Sequence, residues 1–421
     1  MPRVLLLMTT RTYRAGSFLA AAERLGVEVT VGSERAQVLA DANPAGHLVL
    51  DFRNPAEAAD QVAGFARTHS LDAILAADDD GVILAAHASA ALGLPHNSVD
   101  SVEAARDKHR MREILAAAGI RSPGFWRFDA SMAPSVASRE VSYPCVLKPL
   151  SLSASRGVIR ADDPAAFRAA FERVTKILRA EGKAGGGPGS REEILVEDFI
   201  PGVEVALEGI LTGGELRVLA IYDKPDPLDG PFFEETIYVT PSRLPSGSRE
   251  AVVACTREVV ATLGLTHGPV HAEARINDAG AWILEIASRS IGGRCSRTLR
   301  FGPGISLEEL VLRHALGMEG AAWEREARAA GVMMIPIPRA GILEGVEGRE
   351  AAVRVPGIEE VEISIPVGQK VVPPPEGSRY LGFIFAREET AGAVEAALRE
   401  AHRKLGFRIA PMQDRPGRHT M

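Results

Sequence analysis

The sequence predicts a mixed α/β and α+β chain built from several domains. Three observations carry that reading. Short apolar strands alternate with helices over the first hundred residues. A long hairpin with one apolar and one charged face lies around residue 280. Short strands around one amphipathic helix follow residue 330. The 421 residues are enough for two to four domains with a sizeable core. A hydrophobic share of 46% and a charged share of 24% are those of an ordinary globular protein. The net charge of −7 argues against a general nucleic-acid binder. Cys145, Cys255 and Cys295 are far apart and lack metal-ligand spacing, which suits a reducing cytosol and no disulfide frame. The opening MPRVLLLMTTR is too short in its apolar run for a signal peptide, and no stretch is long enough to span a bilayer.

Val4–Met8 is a continuous apolar run, as in a parallel strand. Phe18–Leu25 reads as helix and Val27–Val31 as strand. His47–Leu50 and Ala73–Leu75 are further short strands, with helices around Ala56–Ala66 and Gly81–Leu92. Open sheets of this kind bind ligands beyond the carboxyl ends of their strands, which makes Thr9–Gly16 and Ala76–Gly81 candidate substrate loops. No GxGxxG follows the first strand, so a dinucleotide fold is disfavoured. Asp78, Asp79 and Asp80 read as a solvated helix start.

Residues 98–120 read as a helix, capped by Asp100 or Ser101 and ended by Gly119, with Lys108 inside it. Then YPCVLKPLSLSASRGV gives a buried strand, Cys145–Lys148, and a Ser- and Gly-bearing turn, Ser151–Gly157. A lysine at a strand end can reach a phosphate as a point charge, and small residues after it can bring N–H groups and hydroxyls onto phosphate oxygens. An ordinary β-turn fits the same residues. Glu181–Arg191 (EGKAGGGPGSR) reads as a flexible loop. ILVEDFIPGVEVALEGI reads as two strands around Pro201-Gly202, flanked by Glu197 and Glu204.

The hairpin is PVHAEARINDAGAWILEIASR. A three-residue turn, Asp278-Ala279-Gly280, pairs Asn277 with Ala281. Ala272, Ala274 and Ile276 then share an apolar face with Trp282, Leu284 and Ile286. The other face carries His271, Glu273, Arg275, Glu285 and, further out, Arg289, with Ile283 as its apolar exception. Glu273 sits opposite Glu285. Like charges facing each other on a sheet are destabilising, and two hard oxygen donors on one platform suit Mg²⁺ bound to phosphates. An ordinary half-exposed hairpin, its acids paired with Arg275 and Arg289, is the alternative.

In order, Lys108, KPLSLSASRG at Lys148, VEDFIPGVE from Glu197 to Glu204, HAEARI at Glu273 and LEIASR from Glu285 to Arg289 resemble the ATP-grasp superfamily, and within it the carboxylate–amine ligases. The likeness covers roughly residues 98–320 and, more loosely, the whole chain. It implies the ATP-grasp architecture: a pre-ATP-grasp α/β domain (1–100), a small lobe with its linker helix (101–200), a large lobe with the metal site (201–325) and a C-terminal α+β lobe (326–421). It also implies that Lys108 and Lys148 contact ATP phosphates, with Ser153, Ser155 and Gly157 in a loop closing over them. The backbone from Glu197 through Phe199 to Ile200 would read the adenine edge, and Glu204 the ribose hydroxyls. Glu273 and Glu285 would hold Mg²⁺, with Mn²⁺ as its substitute, and Arg289 would face the transferred phosphate.

Two departures stand out. Serine replaces glycine in the loop after Lys148. Ala287 stands where the family often has asparagine, removing one ligand from a second Mg²⁺. Biotin carboxylases continue after the metal residues with a Gln-Val-Glu-His run, which is absent here, and no ribose-phosphate signature selects the purine-pathway ligases. SIGGRCSRTLRFG, with DKPDPLDGPFFEETIYVTPSRLP before it, looks most like the L-amino-acid ligases that make dipeptides. Arg294, Arg297 and Arg300 are cations able to grip a carboxylate, or equally a solvated helix start. Asp223–Thr236 is a candidate lid or acceptor loop. His271 is a weak candidate for the base that deprotonates the amine; a neutral, hydrogen-bonded core histidine is the other reading.

The implied chemistry is ATP-dependent amide formation through an acyl phosphate, from small-molecule carboxylate and amine substrates. It involves no nucleic acid and no membrane, in the cytoplasm, with a homodimer as an assembly to test. A nucleotide-binding regulator that has lost catalysis is the contrasting class.

Overall fold

A computed structural model of the protein describes residues 1–10, 12–35, 45–150, 152, 155–185, 192–318, 320 and 322–412. The chain forms two compact units. The first comprises Met1–Ser122, Gly202–Tyr222 and Ser242–Ala327. The second comprises Pro123–Pro201, Asp223–Pro241 and Arg328–Met421. The chain crosses between them at Pro201-Gly202, so the two strands expected around that dipeptide serve different units.

The first unit opens with strand β1 (Arg3–Leu7), helix α1 (Ala15–Leu25), β2 (Glu28–Ser33), β3 (His47–Val49), α2 (Pro55–Ala66), β4 (Ala73–Ala76) and α3 (Val82–Leu92). The strands form a parallel sheet in the order β3-β2-β1-β4. This is the α/β alternation that the sequence predicts. Gly26 ends α1 at φ 64°, a left-handed position that suits glycine. Leu5, Leu7, Val62, Ile74 and Leu84 fill the core beneath the helices. Fully burying each such side chain stabilises by about 1.5–3 kcal/mol.

The helix expected over 98–120 is two helices, α4 (Val99–Arg106) and α5 (Lys108–Ala117). Asp107 breaks them. Its backbone is extended and its carboxylate accepts from the N–H groups of His109 and Arg110, at 2.9 and 3.1 Å. An aspartate held this way caps a new helix better than it continues an old one. Ser98, rather than Asp100 or Ser101, caps α4.

The rest of the first unit is antiparallel. The strands Gly280–Ala287, His267–Asn277, Val203–Thr212 and Glu215–Asp223 lie in that order. Helices α5 and Ser246–Thr262 cover one face of this sheet, burying Met111, Leu115, Val252 and Val259 against Val205, Leu207, Ala272, Ala274, Ile283 and Ile286.

In the second unit, Phe125–Asp129, Glu193–Asp198, Cys145–Pro149 and Ile159–Ala161 form an antiparallel sheet. The helix Pro164–Gly185 packs Phe167, Phe171, Val174 and Leu178 on it. That helix takes in Glu181–Gly185, the first part of the expected loop, and residues 186–191, the rest of it, lie outside the described residues. A second antiparallel set contains Ile237–Thr240, Ala329–Ile335, Gly382–Glu388 and Ile358–Ile363. The amphipathic helix Ala391–Lys404 covers it through Val394 and Leu398. Among the described residues, no helix is long and apolar enough to cross a membrane.

Candidate active site

The hairpin pairs differently near its turn than expected. Asn277 pairs with Gly280, Ile276 with Ala281, Arg275 with Trp282 and Ala274 with Ile283; then Leu284 bulges out and Glu273 pairs with Glu285. The connection is therefore two residues long. Gly280 follows it at φ 115°, where a Cβ would lie 2.2 Å from Arg121 Nη1. The bulge also corrects the faces. Ala281, Ile283 and Ile286 are buried in the core, while Trp282 and Leu284 are only half-buried. Arg112, fully buried on α5, donates to the carbonyl of Leu284 at 2.6 Å and so holds the bulge.

Three rows of side chains cross the opposite face, one residue from each strand. Glu204 is opposite Arg275, which is opposite Trp282. Ala206 is opposite Glu273, which is opposite Glu285. Glu208 is opposite His271, which is opposite Ala287. In the first row, Arg275 Nε donates to Glu204 Oε2 at 3.0 Å, and both are buried. The middle row carries two carboxylates. Lys108, at the first position of α5, brings Nζ to 3.3 Å from Glu285 Oε1. In the third row, His271 lies between two acids: Nδ1 is 3.4 Å from Glu208 Oε2 and Nε2 is 3.6 Å from Glu273 Oε1. Burial lowers the pKa of the imidazole, but Glu208 and Glu273 outweigh it and raise it to about 9. The two acids thus favour the charged imidazole over the neutral one.

Arg289 is half-buried and forks onto Asp79: Nε to Oδ1 and Nη2 to Oδ2, both 2.8 Å, with Nη1 on the Ser290 carbonyl at 3.0 Å. Burial would raise the Asp79 carboxyl, yet the guanidinium overrides it and holds the group at about 2. Asp79 begins the turn before α3 as expected, but it is ion-paired rather than solvated. Arg14, from the first candidate loop, donates to the carbonyls of Ala77 (2.6 Å) and Ser290 (3.1 Å). Beyond it, Gly293 N–H donates to Tyr13 Oη at 2.6 Å. Arg294, at φ 57°, lies over the Tyr13 ring at 5.7 Å. A non-glycine residue in that conformation is held there by its surroundings.

The second unit holds the remaining candidates. Lys148 Nζ lies 2.5 Å from Glu197 Oε2, with Glu197 buried. Their strands are adjacent, Val146 opposite Glu197 and Lys148 opposite Leu195. Phe199 N–H donates to the Pro144 carbonyl at 3.0 Å, so that amide is committed within the fold rather than presented to a base. The ring of Phe199 lies under Arg160, 4.0 Å away, and Ile200 is buried. Ser155 takes φ 54° and Gly157 φ 73°. Gly157 N–H donates to the Pro375 carbonyl at 2.8 Å, and a Cβ there would meet Pro149 at 2.6 Å. Gly157 thus serves the turn itself. Ser153 lies outside the described residues.

Each unit therefore gathers its own set. Lys108, Glu204, Glu273, Glu285, His271, Arg289 and Arg294 belong to the first, and Lys148, Ser155, Gly157, Glu197, Phe199 and Ile200 to the second. Sequence reading missed Glu208, Asp79 as a partner, Arg14 and Tyr13. For Glu208 the available signal was an acid inside the apolar run VEVALEGIL.

Comparison with known proteins gives three family matches: an ATP-grasp N-terminal domain over residues 19–96, an ATP-grasp domain over 141–298, and L-amino acid ligase C-terminal domain 2 over 333–410. The crystal structure of L-amino acid ligase from Bacillus licheniformis is 27% identical, covers 97% of this chain and 99% of its own, and superposes with a TM-score of 0.80. An uncharacterized protein of Sinorhizobium fredii (strain NBRC 101917 / NGR234) is 25% identical across 76% of this chain and 65% of its own length. The alanine–anticapsin ligase of Bacillus subtilis is 27% identical across 61% of this chain and 56% of its own length. The match thus spans less than two thirds of these two relatives. The chain belongs to the ATP-grasp superfamily and carries the C-terminal domain described for L-amino acid ligases.

Proposed function

We propose that the chain is an ADP-forming carbon–nitrogen ligase that joins a small carboxylate, such as an amino acid, to an amine or second amino acid. The observation that carries this reading is the row in which Glu273 faces Glu285 with Lys108 at its edge. Two facing carboxylates repel each other. Lys108 and His271 offset part of that repulsion, and a divalent cation between the two carboxylates would offset more of it. The donors are hard oxygens, so Mg²⁺, with Mn²⁺ as substitute, fits them. When bound, the metal would neutralise charge on the phosphate oxygens of ATP. Relatives named as an L-amino acid ligase and as alanine–anticapsin ligase support the same chemistry.

In this reading Lys108 and Lys148 bind phosphate oxygens and the turn through Ser155 closes on them. An ammonium has three donors, so Lys148 can keep Glu197 and still reach a phosphate. Glu204, its orientation set by Arg275, accepts from the ribose hydroxyls. The substrate carboxylate attacks the γ-phosphorus, giving an acyl phosphate and ADP. The amine then attacks the acyl carbon, and phosphate leaves with the bond electrons and takes up the proton that the amine nitrogen loses. Arg289 has five N–H donors. Three are used on Asp79 and Ser290, and the others can face the acyl phosphate. Arg294 can hold a substrate carboxylate. Preorganised cations of this kind stabilise the developing oxyanion.

The test is ADP and phosphate release from Mg²⁺ and ATP across pairs of amino acids and simple carboxylates, with hydroxylamine replacing the amine. A hydroxamate formed in step with ADP is expected. Release of AMP would overturn γ-phosphoryl transfer, and nucleotide turnover indifferent to any second substrate would overturn ligation.

A further inference from the structure

Glu208 stands on the polar face of the first unit's sheet and is fully buried. Its Oε2 accepts from the backbone N–H of Ile291 at 3.0 Å and lies 3.4 Å from His271 Nδ1. Its other oxygen is buried and has no hydrogen-bond partner among the described residues. His271 in turn reaches Glu273, with Nε2 3.6 Å from Oε1. One hydrogen bond and two ion-pair contacts therefore link the Ile291 amide through Glu208 and His271 to Glu273. Ala287, the third member of the His271 row, adds no polar atom to that link. An apolar side chain would fill the Glu208 position without the cost of desolvating a carboxylate, so the acid calls for a geometric reason.

We propose that Glu208 is a positioning residue that couples the carboxylate of Glu273 to the turn Ile291–Arg294. This rests on Glu273 being a metal ligand, as in the reading above. A ligating carboxylate is oriented by the groups that hydrogen-bond to it from behind, and losing such a group typically costs ten- to a hundredfold in metal affinity. His271 stands behind Glu273 as an ion-pair partner at 3.6 Å, close enough to take that place when the carboxylate is drawn to a metal, and Glu208 holds His271 from the other side at 3.4 Å. At the other end, Ile291 precedes Gly292 and Gly293, two residues with wide backbone freedom. The Ile291 N–H bond anchors them beside Arg289 and Arg294. Both links end on the same oxygen of Glu208, so displacement at one end is transmitted to the other.

The experiment follows Mn²⁺ binding in the presence of ADP by electron paramagnetic resonance, and amide hydrogen exchange at Ile291, on the full chain. In the wild type, Mn²⁺ with ADP should slow exchange at Ile291. His271→Ala cuts the link between Glu208 and Glu273 and leaves the Ile291 bond in place. It should bind Mn²⁺ about tenfold more weakly and, once saturated, give Ile291 no added protection. Glu208→Gln keeps an acceptor for the Ile291 N–H and should keep its basal protection. If His271→Ala does not fold, His271→Asn, whose amide reaches only the Glu208 side, carries the same expectations. Wild-type Mn²⁺ affinity in the His271 variant, or an undiminished response at Ile291, overturns the coupling. A wild type that binds no Mn²⁺ with ADP overturns the metal reading itself, and the coupling falls with it.

Discussion

Lys148 and Glu197 meet across the second unit's sheet and close to 2.5 Å, whereas Glu273 and Glu285 face each other across the first unit's hairpin with the same sign. The second unit's pair is self-contained: a buried acid has its cation, and the sheet would be no less satisfied if no ligand ever arrived. The first unit's row sets two acids side by side, with Lys108 beside one and His271, shared with Glu208, beside the other. Where a fold tolerates opposed carboxylates on a rigid platform, the charge balance points outward to a cation. Where it closes a salt bridge, a phosphate has to share the lysine.

The largest expected effect breaks the first side of this contrast. Glu285→Gln removes one of the two facing carboxylates proposed to hold the metal and should abolish turnover while ATP still binds, though more weakly. A variant retaining more than about a tenth of the wild-type rate, roughly 1.4 kcal/mol in barrier, would show that the row is not the metal site.

Lys148→Ala tests the other side. The ATP concentration for half-maximal rate should rise about tenfold or more, as a charge-assisted contact is lost. The same change takes a cation from the buried Glu197, so stability should fall by up to about 3 kcal/mol in urea denaturation. Adding Glu197→Gln should recover most of that stability and none of the ATP binding. Recovery of both would make the pair purely structural.

The smallest effect concerns a neighbouring set of rings in the first unit. His314 packs on His267, with centroids 4.6 Å apart, and exchanges a hydrogen bond with Thr212. Burial first, and then the His267 charge, lower His314 to about 4. The unfolded state therefore takes up a proton before the folded state does. The His314 contribution is complete above pH ~6.5 and is lost as the pH falls toward about 4. The urea midpoint should drop through that window, and His314→Gln should flatten the drop. An identical pH profile in the variant would remove His314 as the cause.

The α/β alternation, the hairpin and the facing acids were legible in the sequence because each rests on local periodicity. The acid pair came out correctly although the turn was read one residue too long, since Leu284 bulges and absorbs the difference. A bulge has no signature in an alternating run, so Trp282 was assigned to the wrong face. The break at Asp107 was missed because a helix-capping aspartate between two good helical stretches reads as an ordinary exposed position. Asp79 and Arg289 stand 210 residues apart, and only the folded chain makes a solvated acid into a half-buried partner. Glu208 escaped for the same reason: its partners His271 and Ile291 come from distant segments.

The bulge at Leu284 has a bearing on how such a chain can change over time. Without it, the pairing that starts at Asn277 and Gly280 would set Glu273 against Leu284 and turn Glu285 toward the oily side. One surplus residue, pinned by Arg112, acts as a frameshift within the strand and restores the reading frame of the face just before the acids. The tip of the hairpin and its working end are therefore inherited separately. A descendant that gains or loses a residue at the tip can keep the two acids facing each other by trading away or adding this one.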